Sequence, residues 1–238
     1  MAGQAVRAGR LSGWYAAPEA GRRGPGVIVL MEAFGLTPHI QRVCERLAAA
    51  GYPALAPDLY GGKTYGYDQM TEIKAAIAEL NDGVAMGQVG AWLDWLGTQP
   101  AVLPGKSAVL GFCMGGRLAF LSACRHAMRL GAAACFYGGG IFPEGDKDRL
   151  GRTPPIGEAA SLKAPLLLVY GSADQGIPPD EHGRLAQRLG ELGKRYTLSL
   201  YPDAGHGFCC EDRDSYAPAA TEAAFAETFD FLRRALAG

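Results

Sequence analysis

Short apolar runs bounded by turn residues alternate with longer helical patterns along this chain, and that alternation constrains its fold most. The runs are VIVLM (27–31), YPALAP (52–57), SAVLGF (107–112), AAACFYG (132–138), PLLLVYG (165–171) and YTLSLYP (196–202). Near-continuous apolarity over four to seven residues is the pattern of strands buried on both faces, as in a parallel sheet covered by helices. The helical periodicities fall between them, at 37–50, 70–96, 114–128, 180–192 and 219–236. The expected class is therefore α/β, a mostly parallel central sheet with helices on both faces. A more polar piece around Trp14 and Tyr15 adds an expected antiparallel edge strand. The C-terminal helix places Ala224, Phe225, Thr228, Phe229 and Leu232 at helical spacing, so these are expected core contacts.

Nothing in the 238 residues divides them into two globular halves, so one domain over 1–238 is expected. A formal net charge of -1 with no lysine or arginine run provides no field for a polyanion, which argues against nucleic acid. The apolar runs are too short and too often broken to span a bilayer, and a cytoplasmic location without membrane contact is expected. The six cysteines lack CxxC pairing, and reduced thiols are the reading. Cys44, Cys124 and Cys135 read as small buried hydrophobes, while adjacent Cys209 and Cys210 could be packing residues, a redox pair or soft ligands. No apolar stripe demands an interface, so a monomer or small homo-oligomer is expected.

The strongest local signal is GFCMGG, residues 111–116, which closes one apolar run and opens a helical one. It has the form Gly-x-nucleophile-x-Gly of a strand-to-helix elbow, with cysteine at the centre. Such a turn forces its central residue into a strained conformation and leaves the side chain exposed at the carboxyl end of the sheet. Helix N-terminal N–H groups beside Cys113 favour a thiolate, and that of Met114 can face an oxyanion.

In α/β-hydrolases an acid and a histidine follow the nucleophile, each in the loop after a strand. Here PLLLVYG leads into SAD, placing Asp174 beyond one strand, and YTLSLYP leads into DAGHGF, placing His206 beyond the next. Asp203 lies nearer in sequence, but Asp174 has the strand-end position. Imidazole suits the proton transfers of acyl transfer, and a carboxylate would orient it. His39, His126 and His182 lie on helical segments and read as surface residues. Glu32 directly ends the apolar run 27–31, and the following Ala33 is the candidate second oxyanion donor.

Taken in order, MEAFG, APDLYGG, GFCMGG, GSAD and AGHGF resemble the dienelactone hydrolase (carboxymethylenebutenolidase) family over nearly the whole chain. The resemblance implies an α/β-hydrolase fold with Cys113 as nucleophile, His206 as general base and acid, Asp174 as its orienting carboxylate, and an oxyanion hole from Ala33 and Met114. It implies that Glu32 contacts the resting thiol and takes part in forming the thiolate. The substrate would be a small ester or lactone, opened through a thioester, with no metal or organic cofactor. Other readings are a hydrolase-fold binding protein without catalysis and a thiol redox protein.

The chain departs from the family where the latter's arginines grip a substrate carboxylate. Four residues after His206 stands Cys210, and in the segment after DLYGG stands Met70 or a neighbour. Lys74 and Arg213 lie close enough in sequence to offer a substitute positive charge, although both read rather as solvated side chains. Phe34, Tyr137 and Phe208 are candidate pocket walls, which would suit an apolar ester. The long loop 138–163 is a further candidate to line a site.

Overall fold

The computed structural model describes residues 3–237. Its centre is an eight-stranded sheet in the order β1-β2-β4-β3-β5-β6-β7-β8. The strands are β1 (Gln4–Ala8), β2 (Leu11–Ala16), β3 (Val27–Leu30), β4 (Ala54–Pro57), β5 (Ser107–Phe112), β6 (Leu130–Phe136), β7 (Leu166–Gly171) and β8 (Tyr196–Tyr201). Strands β3 to β8 are parallel, whereas β2 pairs antiparallel with both β1 and β4. All residues of β3, β4 and β7 are buried, as their unbroken apolar sequences require.

The expected strand at Trp14 and Tyr15 is β2, but it is not the edge. That place belongs to β1, whose apolar residues are interrupted by Gln4 and Arg7 and which is mostly exposed, so it carries no continuous apolar signal. At the opposite edge β8 is only half-buried.

Helices α1 (Pro38–Ala49) and α6 (Pro218–Leu236) cover one face, and α3 (Asp82–Gly97) and α4 (Met114–Arg125) the other. Arg46 of α1 pairs with Glu222 of α6 and lies 4.0 Å over the Phe225 ring, joining the two covers. Phe225, Thr228 and Leu232 are buried as their spacing indicates, while Phe229 is half-buried and Phe231 joins the core. Helix α5 (Pro179–Glu191) lies between β7 and β8 in the chain.

The long helical pattern at 70–96 is two helices, α2 (Met70–Glu79) and α3. Leu80 leaves the helical region, and the Asn81 side chain accepts from the N–H groups of Gly83 and Val84 at 2.8 and 3.1 Å. An asparagine able to cap thus starts a new helix where periodicity alone shows no break.

One ion pair links this face to the loops above it. Arg117 of α4 is fully buried and forks onto both carboxylate oxygens of Asp82, at 2.8 Å each, while donating to the Thr153 carbonyl at 2.8 Å. It therefore joins the start of α3, the body of α4 and the loop 138–163. Replacing Arg117 by alanine leaves a cavity and strands Asp82, and should lower unfolding stability by about 3 kcal/mol, read as a fall in the urea midpoint. Arg117→Lys should restore only part of this, because an ammonium cannot reproduce the fork.

Candidate active site

The chain turns from β3 to β4 on one side and to β5 on the other, so the loops after β3 and β5 open side by side at the carboxyl end of the sheet. Such a reversal point leaves a crevice where ligands bind in open α/β sheets. Glu32 and Ala33 follow β3, and Cys113 follows β5.

Cys113 has φ 54° and ψ -117°, a strained conformation for a residue with a side chain, costing of order 1 to 3 kcal/mol. The surrounding glycines permit it. A Cβ on Gly111 would stand 1.9 Å from the Gly115 carbonyl oxygen, and one on Gly115 would stand 2.1 Å from that of Leu30 in β3. The turn is pinned further by the Cys113 N–H donating to Phe136 O at 3.0 Å.

The loop after β8 crosses over the end of β7, where Ala173 N–H donates to Ala204 O at 3.0 Å. This carries His206 back towards the elbow. Its Nε2 lies 3.1 Å from Cys113 Sγ and its Nδ1 2.7 Å from Asp174 Oδ2. The other Asp174 oxygen accepts from Gly176 N–H at 2.7 Å, which fixes the carboxylate. Burial works to lower the His206 pKa, but the Cys113 sulfur and the Asp174 carboxylate outweigh it and raise the value to about 10. Asp203 instead sits in a positive-φ turn at the surface, its own N–H bonded to Ser172 Oγ.

Ala33 and Met114 both line the cavity above Cys113. Among the described residues neither N–H has a protein acceptor, and Met114 opens α4, where no earlier turn supplies one.

Glu32 is fully buried, and neither carboxylate oxygen has a hydrogen-bond partner among the described residues. The contact with the resting thiol that the resemblance implied is not made, because the sulfur is turned to His206. Instead Arg213 Nη1 stands 3.7 Å from Glu32 Oε1. Burial pushes the Glu32 pKa up to about 7, against the lowering effect of Arg213 and His206. Arg213, expected in solvent, lies over Phe34 and Tyr67, 5.2 and 5.8 Å from their ring centroids. Its place depends on Gly207, at φ 76°, where a Cβ would lie 1.9 Å from Arg213 Nη1.

The cavity has a volume of about 520 Å³. Phe34 lines it together with Met70, Ile73 and Ile77 of α2, while Lys74, Arg149, Arg152 and Arg213 bring positive charge. Tyr137 and Phe208 do not line it. Both are fully buried, with the Tyr137 ring centroid 5.3 Å from that of His206 and 5.6 Å from that of Phe208, so they pack behind the histidine. The loop 138–163 does supply wall residues, including Pro143 and Leu150. Its first part is tied down by Glu181, which accepts from Ile141 and Phe142 N–H at 3.0 and 3.3 Å. Nothing in the sequence around Glu181 marks that role.

The remaining histidines correct the surface reading. His39 is 1% exposed and burial pushes its pKa down to about 4. His182 is buried and stacked on Tyr170, and His126 is half-buried with Nε2 3.0 Å from Met86 O. Each lies on an inward helix face or end, where a neutral imidazole packs like an aromatic ring. All six cysteines are free thiols, with Cys44, Cys124, Cys135, Cys209 and Cys210 buried. No described helix is long and apolar enough to cross a membrane.

Comparison with known proteins gives the same family as the motifs. Residues 11–236 match the profile of the Dienelactone hydrolase family. A "Putative carboxymethylenebutenolidase" of Methylorubrum extorquens is 37% identical over 213 residues, spanning 87% of this chain and 71% of the relative. A "Probable 2-oxo-3-(5-oxofuran-2-ylidene)propanoate lactonase" of a Bradyrhizobium species is 30% identical over 226 residues, 94% of this chain and 90% of that one. A solved structure from Klebsiella pneumoniae, described as a "Putative Dienelactone Hydrolase", superposes with a TM-score of 0.84 at 28% identity, covering 93% of this chain and 92% of the other. The chain belongs to the dienelactone hydrolase family and is a carboxylic ester hydrolase of the α/β-hydrolase fold.

Proposed function

We propose that the protein hydrolyses a small ester or lactone through a cysteine nucleophile, Cys113, with His206 and Asp174. The observation that carries this is the continuous line of contacts from Cys113 Sγ to His206 Nε2 at 3.1 Å and from His206 Nδ1 to Asp174 Oδ2 at 2.7 Å. His206 accepts the thiol proton and Asp174 holds the imidazolium in place. The thiolate attacks the carbonyl carbon, and the resulting oxyanion is held by the N–H groups of Ala33 and Met114. Collapse expels an alkoxide or enolate, which takes the proton from His206 and leaves a thioester on Cys113. Water, deprotonated by His206, then attacks the thioester and releases the acid.

A thiolate is itself a good leaving group, so the first tetrahedral intermediate returns to substrate unless the alcohol departs easily. Activated esters and enol lactones are therefore favoured over amides. The cavity volume suits one small molecule, whose body would pack on Phe34, Ile73 and Ile77. Glu32, with its pKa pushed up to about 7 by burial, serves as a second carboxylate able to exchange a proton near neutral pH, next to the Ala33 N–H.

Hydrolysis of a short aryl ester by the wild type, Cys113→Ala and His206→Ala, with intact-protein mass spectrometry, tests this reading. Each variant should lose at least ~10³-fold in kcat. The acyl adduct should map to Cys113 and vanish in Cys113→Ala. Wild-type turnover in Cys113→Ala would overturn the assignment.

The ion pair makes a separate prediction. With its pKa raised from 6.5 to about 10, His206 contributes stabilisation that is fully present below about pH 6.5 and is lost as pH rises through about 10. The Cys113 sulfur is the foremost raising influence, so in Cys113→Ala the His206 imidazole should titrate at lower pH by NMR. The stability advantage of the wild type contributed by this pairing should shrink across the same interval.

A further inference from the structure

Beside the reacting groups three potential ligands converge without an assigned purpose. Glu32 comes from the end of β3, His39 from the first turn of α1, and Cys210 from the loop that carries His206. One ligating atom of each lies within 4.8 Å of those of the other two. All three residues are buried, with Glu32 and Cys210 fully inaccessible and His39 1% exposed. Both Glu32 oxygens and both His39 ring nitrogens lack a hydrogen-bond partner among the described residues. Cys210 Sγ meets the Tyr67 hydroxyl at 3.3 Å.

Orphaned buried polar groups carry an uncompensated desolvation cost, so apolar packing would be the cheaper choice for this space. A carboxylate, an imidazole and a thiol are together the donor set that a borderline-soft divalent cation prefers. We propose that Glu32, His39 and Cys210 form a binding site for such a cation, zinc in kind, separate from the Cys113 and His206 pair.

Charge supports the assignment. A thiolate and a carboxylate supply two negative charges and imidazole none, so a bound divalent ion is neutralised within a dry setting. The Cys210 proton, and that of Glu32 where it is protonated, pass to solvent on binding. The groups around the cluster are Arg213, 3.7 Å from Glu32, and Glu211, 3.9 Å from His39 and ion-paired to Arg42, which also holds Asp212. Arg213 lines the cavity, so the cluster adjoins the substrate's space and an entering ion competes with that guanidinium for Glu32. Tetrahedral bonds of about 2.0 to 2.3 Å set ligand atoms roughly 3.3 to 3.8 Å apart, so the cluster must contract by about 1 Å. The Tyr67 hydroxyl or a water completes the shell. The cation acts as a brake: it holds Glu32 as a ligand and takes it away from Arg213.

Cobalt(II) titration of the full chain, with zinc(II) as competitor, provides a readout independent of turnover. The wild type should bind one equivalent with thiolate-to-cobalt charge-transfer absorption, and zinc should abolish the band by displacement. Cys210→Ser should lose the band, and His39→Gln should weaken binding at least ~10-fold, with far-UV circular dichroism confirming that each is folded. If Cys210→Ser fails to fold, His39→Gln carries the test. Cys113→Ala should keep the band. Absence of binding by the wild type, a band that survives in Cys210→Ser, binding unaltered in His39→Gln, or a band lost in Cys113→Ala would overturn the proposal.

Discussion

The structure depends on how closely helix α4 approaches strand β3. The backbone of Gly115 lies against the Leu30 carbonyl at a separation that admits no Cβ, and the elbow at Cys113 can close only because of it. From that approach follows the strained Cys113 conformation, the free N–H of Met114 at the helix start, and the nearness of Ala33 on the neighbouring loop. The strain of the elbow is small beside the burial around it. Leu118, Ala119, Phe120 and Leu121 of α4 are at most 1% exposed, and a fully buried leucine or phenylalanine contributes about 1.5 to 3 kcal/mol.

The second organising constraint is charge placed in a dry interior. Both terminal nitrogens of Arg117 are bonded, to a forked carboxylate and a carbonyl, and its Nε lies 3.9 Å from Asp148, so its burial ties elements together. Glu32 is left without hydrogen bonds and with a cation just beyond bonding distance, so its burial holds the carboxylate near the edge of protonation. The same fold thus uses one buried charge to fix a scaffold and another to keep a group responsive. Which occurs is decided by the number of donors within reach, not by depth.

The sheet was legible because runs such as VIVLM and PLLLVYG can be buried only on both faces, and the elbow because glycine spacing reports a steric requirement. That Cys113, Asp174 and His206 meet could be expected because each follows a readable strand. Other features left little trace. Strand β1 is polar, and the break between α2 and α3 rests on one capping asparagine. The burial of His39 and His182 depends on which helix face meets the sheet. Arg213 resembles any solvated arginine in sequence, and its place over Phe34 and Tyr67 comes from a loop path that Gly207 permits. Tyr137 follows a readable strand and Phe208 stands two residues after His206, yet Tyr137 packs behind the histidine and Phe208 behind Tyr137, a distinction of depth that a linear pattern does not carry.

Helix α2 contributes Met70, Ile73 and Ile77 to the cavity, and it is a separate element of ten residues ahead of α3. A wall of the cavity is therefore carried on one helix, of which Ile73 also reaches into the core while Met70 is half exposed. Selection can retune the range of esters accepted by exchanging side chains along ten residues, much as a lock can be recut without touching the bolt. In such an arrangement the contour of the cavity can change while the line from Cys113 to Asp174 stays in place.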